Sequence, residues 1–330
     1  MTKFHFLNVC EGDCSIIEHA SSRITVVDVC NASAEADATS SRTAKTSQST
    51  ASALGNFNQK KYPENPINYM LDRGIDSIHR FILTHPDMDH MDGIRALFAV
   101  FAPTNFWDSD NNCEKEFEEG GRYKEEDWKF YKKLRDEGSG SDPKRLCLFS
   151  GGKGHYYNDP KKEGSGHDGL HILAPTKRLL ADANASGEHN DASYVLLYRS
   201  KGGRILLAGD SHDSSWEHVL KKHADDIKDV DILIAPHHGR DSERDYAFLD
   251  VVNPTITFFG NARSEHLAYD AWNSRDLPFI TNNQAGSMIV DTSTKPMSLY
   301  VTNRVFAERF YSETFFSDEF GGYYIGDIAR

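Results

Sequence analysis

Two features of the 330-residue sequence predict a mixed α/β fold. Short runs rich in Val, Ile and Phe, bounded by turn residues, recur along the chain, and segments of helical periodicity lie among them. Residues 4–9, 24–29 and 81–84 read as buried strands, and 94–100 follows as a helix. Residues 194–198 and 204–208 flank Lys201-Gly202-Gly203 and read as a hairpin whose second strand delivers Gly209 and Asp210 at its end. Strand-like runs continue at 232–235, 255–259, 288–290 and 299–302, and helical spacing returns at 216–223, 246–252 and 267–272.

The core domain is expected over 1–302, interrupted by two surface insertions. Residues 31–62 are rich in Ser, Thr, Ala and Asn and read as a long loop or flap. Residues 108–168 carry many Lys, Glu, Asp and Gly around an amphipathic stretch, 124–136, whose Trp128, Tyr131 and Leu134 share one face. Beyond it, 303–330 reads as an aromatic tail holding Phe306, Phe310, Tyr311, Phe315, Phe316, Phe320, Tyr323 and Tyr324. That much aromatic surface calls for cover, either on the chain's own sheet or from a second copy, so a homodimer is one expectation.

The chain is 38% hydrophobic and 26% charged, and no apolar run is long enough to span a bilayer. Its opening, Met1-Thr2-Lys3-Phe4-His5, enters strand-like sequence without a secretory signal's apolar region. The expectation is a soluble, cytoplasmic protein with no membrane partner. Five cysteines, Cys10, Cys14, Cys30, Cys113 and Cys147, lack the paired spacing of a structural zinc site and read as free thiols. A net charge of −13 argues against a broad basic face that holds nucleic acid by counterion release.

The chemistry gathers where strands end. Residues 81–84 run directly into His85-Pro86-Asp87-Met88-Asp89-His90, which packs two histidines and two aspartates into six positions. Imidazole nitrogen and carboxylate oxygen suit zinc, manganese and iron, and a loop after a rigid strand can bring them onto one or two ions. The simpler alternative is a turn in which Asp89 or Asp92 caps the following helix. The same residue types recur at two more strand ends, as Asp210 and as His237-His238-Gly239. His266, in Arg263-Ser264-Glu265-His266, alone would be a surface histidine and in this company is a further candidate.

These segments resemble metallo-β-lactamase-fold hydrolases, most closely the hydrolase domain of ComEC-type competence proteins. Phe6-Leu7-Asn8-Val9-Cys10-Glu11-Gly12-Asp13-Cys14 resembles the family's FLDVGQGD opening, and Val27-Asp28-Val29 its next strand with a buried aspartate. Residues 84–93 resemble its SHPDxDHxGG loop. Asn190-Asp191-Ala192-Ser193, Leu206-Leu207-Ala208-Gly209-Asp210 and Ala235-Pro236-His237-His238-Gly239 resemble its NDxS, LLTGD and PHHGS segments, in the same order. The resemblance covers 4 to about 290. Cys10 and Cys30 replace expected glycines, and Arg240 stands where the family has Ser.

The resemblance implies a metallo-β-lactamase-like αββα four-layer sandwich with two divalent metal ions, zinc or manganese, at one edge. It implies His85 and Asp87 on one ion, Asp89 and His90 on the other, and Asp210 bridging. The third ligand of the first ion falls at His189, Asn190 or Asp191, and His237, His238 and His266 compete for the remaining ligand position and for a general-acid role. Two bridged cations activate a shared water and stabilise the leaving oxygen; Asp89, His237 and His238 are the candidate catalytic groups. The leading expectation is a phosphodiesterase or nuclease acting on a nucleic acid or a linear or cyclic nucleotide. A hydrolase of lactones, thioesters or β-lactams needs the same site without an anion clamp. A partner protein that keeps only the fold is the third possibility, against which the intact ligand set argues.

Overall fold

The computed structural model describes residues 1–33, 55–136, 142–159, 167–241, 244–262 and 267–330. The apolar runs form strands β1 (Lys3–Phe6), β2 (Ser15–Glu18), β3 (Ile24–Val27), β4 (Arg80–Ile82), β5 (Asn105–Trp107), β6 (Lys144–Leu146), β7 (Leu170–Ala174) and β8 (Val195–Arg199). They continue as β9 (Arg204–Leu207), β10 (Ile232–Ile234), β11 (Ile256–Phe259), β12 (Phe279–Thr281), β13 (Met288–Asp291), β14 (Met297–Val301), β15 (Phe316–Ser317) and β16 (Gly322–Ile328). The helices are α1 (Pro66–Leu71), α2 (Ile94–Phe101), α3 (Glu125–Asp136), α4 (Lys177–Ser186), α5 (Asp213–Ile227), α6 (Phe248–Val252), α7 (Tyr269–Asn273), α8 (Asn282–Ala285) and α9 (Arg304–Phe310).

Among the described residues the strands form two sheets, ordered β15-β16-β14-β13-β1-β2-β3-β4-β5-β6 and β12-β11-β10-β9-β8-β7. One pattern is used twice. β1, β2 and β3 pair antiparallel and β4, β5 and β6 then join in parallel. β7, β8 and β9 likewise pair antiparallel before β10, β11 and β12 join in parallel.

The two-residue period of a strand explains the layering. Phe4, Phe6, Ile17, Val27, Ile82 and Trp107 point inward to meet Leu196, Ile205, Leu207, Ile232, Ile234 and Phe258 of the second sheet. Their alternates, Ile16, Val26, Phe81 and Phe106, face outward under Ile67 and Met70 of α1, Leu97 and Phe98 of α2, and Trp128 and Tyr131 of α3. On the far side Leu197, Leu206 and Leu233 pack under Trp216 of α5, Phe248 of α6 and Trp272 of α7. Helices, sheet, sheet and helices thus stack as an αββα four-layer sandwich.

Three segments stand apart from the compact core in the sequence. The charged stretch 108–168 holds the expected helix as α3, but it also supplies β6, which closes the sheet edge beside β5. Lys144-Arg145-Leu146 is too polar to announce a strand. Residues 303–330 extend the sheet itself: β16 pairs with β14, and Phe306, Phe320 and Ile325 are buried, while Phe310, Phe315 and Phe316 stay exposed. Of the loop expected at 31–62, residues 34–54 lie outside the described residues. The five cysteines are free, and no helix among the described residues is long and apolar enough to cross a membrane.

Candidate metal centre

The polar residues gather where β3, β4, β9 and β10 end. Asp28 follows β3 directly, His85 lies three residues past β4, Asp210 three past β9, and His237 and His238 just past β10. Asp13, in the loop between β1 and β2, joins them. Met88, Asp89 and His90 form a single 3₁₀ turn, so Asp89 and His90 leave the loop in different directions. His237 and His238 both adopt left-handed backbone (φ 54° and 56°), followed by Gly239 at 83°. Non-glycine residues rarely take that conformation, and such strain concentrates at functional sites. Gly239 is required there, because a Cβ would stand 2.0 Å from the Phe259 ring.

Hydrogen bonds fix the ring orientations. Asp28 accepts from the Thr84 backbone N–H at 2.7 Å, from Thr84 Oγ1 at 2.7 Å and from His90 Nδ1 at 2.8 Å. Because the Thr84 hydroxyl hydrogen goes to Asp28, His85 Nδ1, 3.1 Å from that oxygen, is the donor to it. His238 Nδ1 donates to Asp13 Oδ1 at 2.9 Å. In His85, His90 and His238 Nδ1 therefore carries a hydrogen, which leaves Nε2 as the atom available to a cation. His237 is the reverse: its Nδ1 accepts from Arg244 Nη2 at 3.2 Å. A guanidinium has no lone pair, so the neutral His237 ring carries its hydrogen on Nε2, 3.5 Å from Asp210 Oδ2.

The Nε2 atoms of His85, His90 and His238 and Oδ1 of Asp210 are buried without a hydrogen-bond partner among the described residues. Their spacings are His90 Nε2 to Asp210 Oδ1 3.2 Å, His238 Nε2 to Asp89 Oδ2 3.4 Å, His85 Nε2 to Asp87 Oδ2 3.4 Å, and 3.7 Å from Asp210 Oδ2 to either His85 or His238. Two ligands each about 2.1 Å from a tetrahedral zinc stand ~3.4 Å apart. These separations are those of co-ligands around a cation, whereas the bonds to Asp28 and Asp13 are ordinary hydrogen bonds. Among the described residues, three sets of side chains place ligand atoms within 4.8 Å of one another: His85, His90 and Asp210; Asp89, His90 and His238; and Asp13, Asp210 and His238. Imidazole and carboxylate donors together suit zinc or manganese.

Charge tells the same story. Burial alone would lower the pKa of His90 and His238, yet Asp210 with Asp28, and Asp13 with Asp210, push them well above the ordinary value. Burial would raise the carboxyls, but the surrounding imidazoles hold Asp210 well below its usual range and bring Asp89 to about 2. Without another cation the carboxylates draw protons onto the rings; a divalent ion held by the same groups would take the place of those protons. His237 moves the other way, lowered to about 4 by burial against the pull of Asp210.

Of the residues expected from the sequence, His85, Asp87, Asp89, His90, Asp210, His237 and His238 lie in this cluster. His266 lies outside the described residues. Among His189, Asn190 and Asp191, His189 has a buried Nδ1 without a partner among the described residues, and its pKa is lowered by burial with Asp87, Lys115 and His85 as its neighbouring charges. Asp191 turns instead toward His212, 3.6 Å away. Sequence reasoning gave no role to four residues, Asp13, Asp28, Lys115 and Arg244. Asp13 and Asp28 were visible as members of family-like segments, but nothing in one dimension pairs them with His238 and His90. Lys115, from the charged insertion, has its Nζ 2.6 Å from Asp87 Oδ1.

No family model and no curated protein sequence matches the chain. Solved structures match its architecture. A metallo hydrolase from the hyperthermophilic archaeon Ignicoccus hospitalis superposes on 88% of this chain and 99% of its own, with TM-score 0.46 and 10% identity. A metal-dependent hydrolase of the β-lactamase superfamily covers 85% of this chain and 96% of its own, with TM-score 0.43 and 11% identity. A diphosphatase of the PhnP family covers 88% and 97%, with TM-score 0.39 and 10% identity. Likeness at this level concerns architecture alone, and the chemistry of the site follows from its own geometry.

Proposed function

We propose that the chain is a metal-dependent hydrolase that cleaves phosphodiesters in a nucleic acid or a nucleotide. The observation that supports this most strongly is the convergence of three oriented imidazole Nε2 atoms on Asp210 at co-ligand spacing. In this reading His85, Asp87 and His189 would hold one divalent ion, zinc or manganese, Asp89, His90 and His238 would hold a second, and Asp210 would serve both. When bound, the ions supply an activated water and a counter-charge for the leaving oxygen.

The protein's own groups do the rest. Asp28 and Asp13 keep His90 and His238 in the tautomer that presents a lone pair, as outer carboxylates do for metal-bound histidines. His237, with a hydrogen on Nε2 and Arg244 behind it, is placed to donate a hydrogen bond to the negative charge that develops on a leaving oxygen. Lys115 and buried Arg244 bring positive charge to the site in a chain of net charge −13, which favours an anionic substrate over a neutral lactone or thioester. The resemblance of the motif run to ComEC-type hydrolase domains points to the same reaction.

Turnover of bis-p-nitrophenyl phosphate and of nitrocefin by the zinc- or manganese-loaded chain tests the proposal. Phosphodiester cleavage that is abolished by a chelator and restored by metal is expected. Cleavage of nitrocefin alone would replace phosphodiester hydrolysis with the β-lactam-type reaction.

A further inference from the structure

We propose that the strap between β5 and α3 is a substrate clamp in which Lys115 holds a non-bridging oxygen of the phosphoryl group brought to the metal centre, an inference that rests on the phosphodiesterase reading above. The geometry divides the two oxygens of Asp87. Oδ2 faces His85 Nε2 at 3.4 Å, while Oδ1 accepts from Lys115 Nζ at 2.6 Å. Lys115 is thus one carboxylate away from the ligand cluster. An ammonium has three donors, and one of them serves Asp87.

Lys115 is held in place. Arg135 of α3 donates to the Cys113 carbonyl at 2.8 Å and to Glu114 at 3.2 Å, and Lys132 pairs with Glu114 at 2.6 Å. These contacts tie the two residues before Lys115 to α3. The ammonium lies 6.0 Å from the ring of buried Trp128, a cation–π contact that orients the side chain. Further along, Phe117 and Tyr123 pack on the outer core, and Arg122 pairs with Glu11 at 2.8 Å, on the loop that carries Asp13. The strap therefore crosses from Asp87 to the far side of the cluster and is pinned at both ends.

The charge balance explains why a lysine belongs there. Five carboxylates, Asp13, Asp28, Asp87, Asp89 and Asp210, bind or orient the ligand set. They outweigh two divalent ions by one negative charge, which buried Arg244 behind His237 offsets, so attraction of an anionic substrate needs a further cation. Lys115 supplies it where an incoming phosphoryl oxygen can accept its remaining N–H groups.

Lys115→Met and Lys115→Arg, in the full chain loaded with metal, test the clamp. Metal per chain is read by elemental analysis, inorganic phosphate affinity by calorimetry, and KM with bis-p-nitrophenyl phosphate; circular dichroism verifies the fold. Lys115→Met should keep its metal and weaken phosphate binding by about tenfold or more, with KM rising more than kcat falls, and Lys115→Arg should restore most of the affinity. Phosphate affinity within about twofold of wild type in Lys115→Met would overturn the clamp. Loss of metal in that variant would overturn it too, by making Lys115 only the counter-ion that holds Asp87. If the wild type cleaves no phosphodiester while its phosphate binding still depends on Lys115, the reaction assignment fails and the clamp stands.

Discussion

Asp28→Asn probes the site without touching a metal ligand. Asp28 Oδ1 accepts from the Thr84 backbone N–H, and Oδ2 accepts from both Thr84 Oγ1 and His90 Nδ1, at 2.7, 2.7 and 2.8 Å. Asparagine keeps the size, tolerates the left-handed backbone at this position (φ 58°), and retains one carbonyl oxygen for the backbone bond. Its NH₂ then faces two donors where an acceptor stood. The contact at His90 is relieved if the ring moves its hydrogen to Nε2, where it points at Asp210 Oδ1 3.2 Å away and removes the lone pair a metal needs. Loss of such an outer carboxylate costs about 10- to 100-fold in metal affinity, or about 1.4–2.7 kcal/mol. Competition between the metal-free protein and a fluorescent zinc chelator measures it, with circular dichroism to verify the fold. Zinc affinity within about twofold of wild type would refute the assignment of Asp28 as the group that orients His90.

Three other outcomes follow from the same structure. Asp89→Ala should lower phosphodiester turnover by more than about tenfold, ~1.4 kcal/mol in the barrier, while leaving the fold intact, because Asp89 faces His238 rather than the core; steady-state kinetics decides it. Phe306→Ala should cost about 3–5 kcal/mol in urea unfolding, since this fully buried ring sits in the core between the sheets. Asp168 accepts from Arg23 at 2.8 Å and from buried Arg80 at 3.2 Å, so Asp168→Asn should destabilise by about 3 kcal/mol at neutral pH. Burial acts to raise the Asp168 pKa, but Arg23, His19 and Arg80 hold it below the ordinary value. A depressed folded-state pKa contributes stability above the unfolded value and loses it as pH falls through the folded one, so the gap between wild type and variant should narrow below about pH 4. A gap that widens on acidification would remove Asp168 from that role.

The parts of the site legible in the sequence were those carried by local spacing. A rigid strand followed at once by His85, Asp87, Asp89 and His90 needs no tertiary information to suggest a ligand loop, and Asp210 and His237-His238 repeat the pattern. The four layers were legible only through family resemblance, because alternation within one strand says which residues share a face and not what covers it. The division of labour between His237 and His238 was illegible. They are neighbours of one residue type, and only Arg244 behind one ring and Asp13 behind the other assign the tautomers. Lys115 was hidden for the opposite reason: in a stretch dense with Lys and Glu a single lysine carries no signal until α3 folds and brings it to Asp87. The aromatics of 303–330 call for cover that the sequence leaves open between the chain's own sheet and a second copy, and pairing of β16 with β14 supplies part of it from the chain itself.

Metal stoichiometry in wild type and Asp210→Asn tests the central claim most directly, since Asp210 is the carboxylate on which His85, His90 and His238 converge. Elemental analysis after loading with zinc or manganese and exhaustive dialysis should find two divalent ions per wild-type chain and a fall toward one in the variant, because a neutral amide bridges two cations poorly. A wild-type chain that retains no metal, or a variant with unchanged stoichiometry and affinity, would contradict the account.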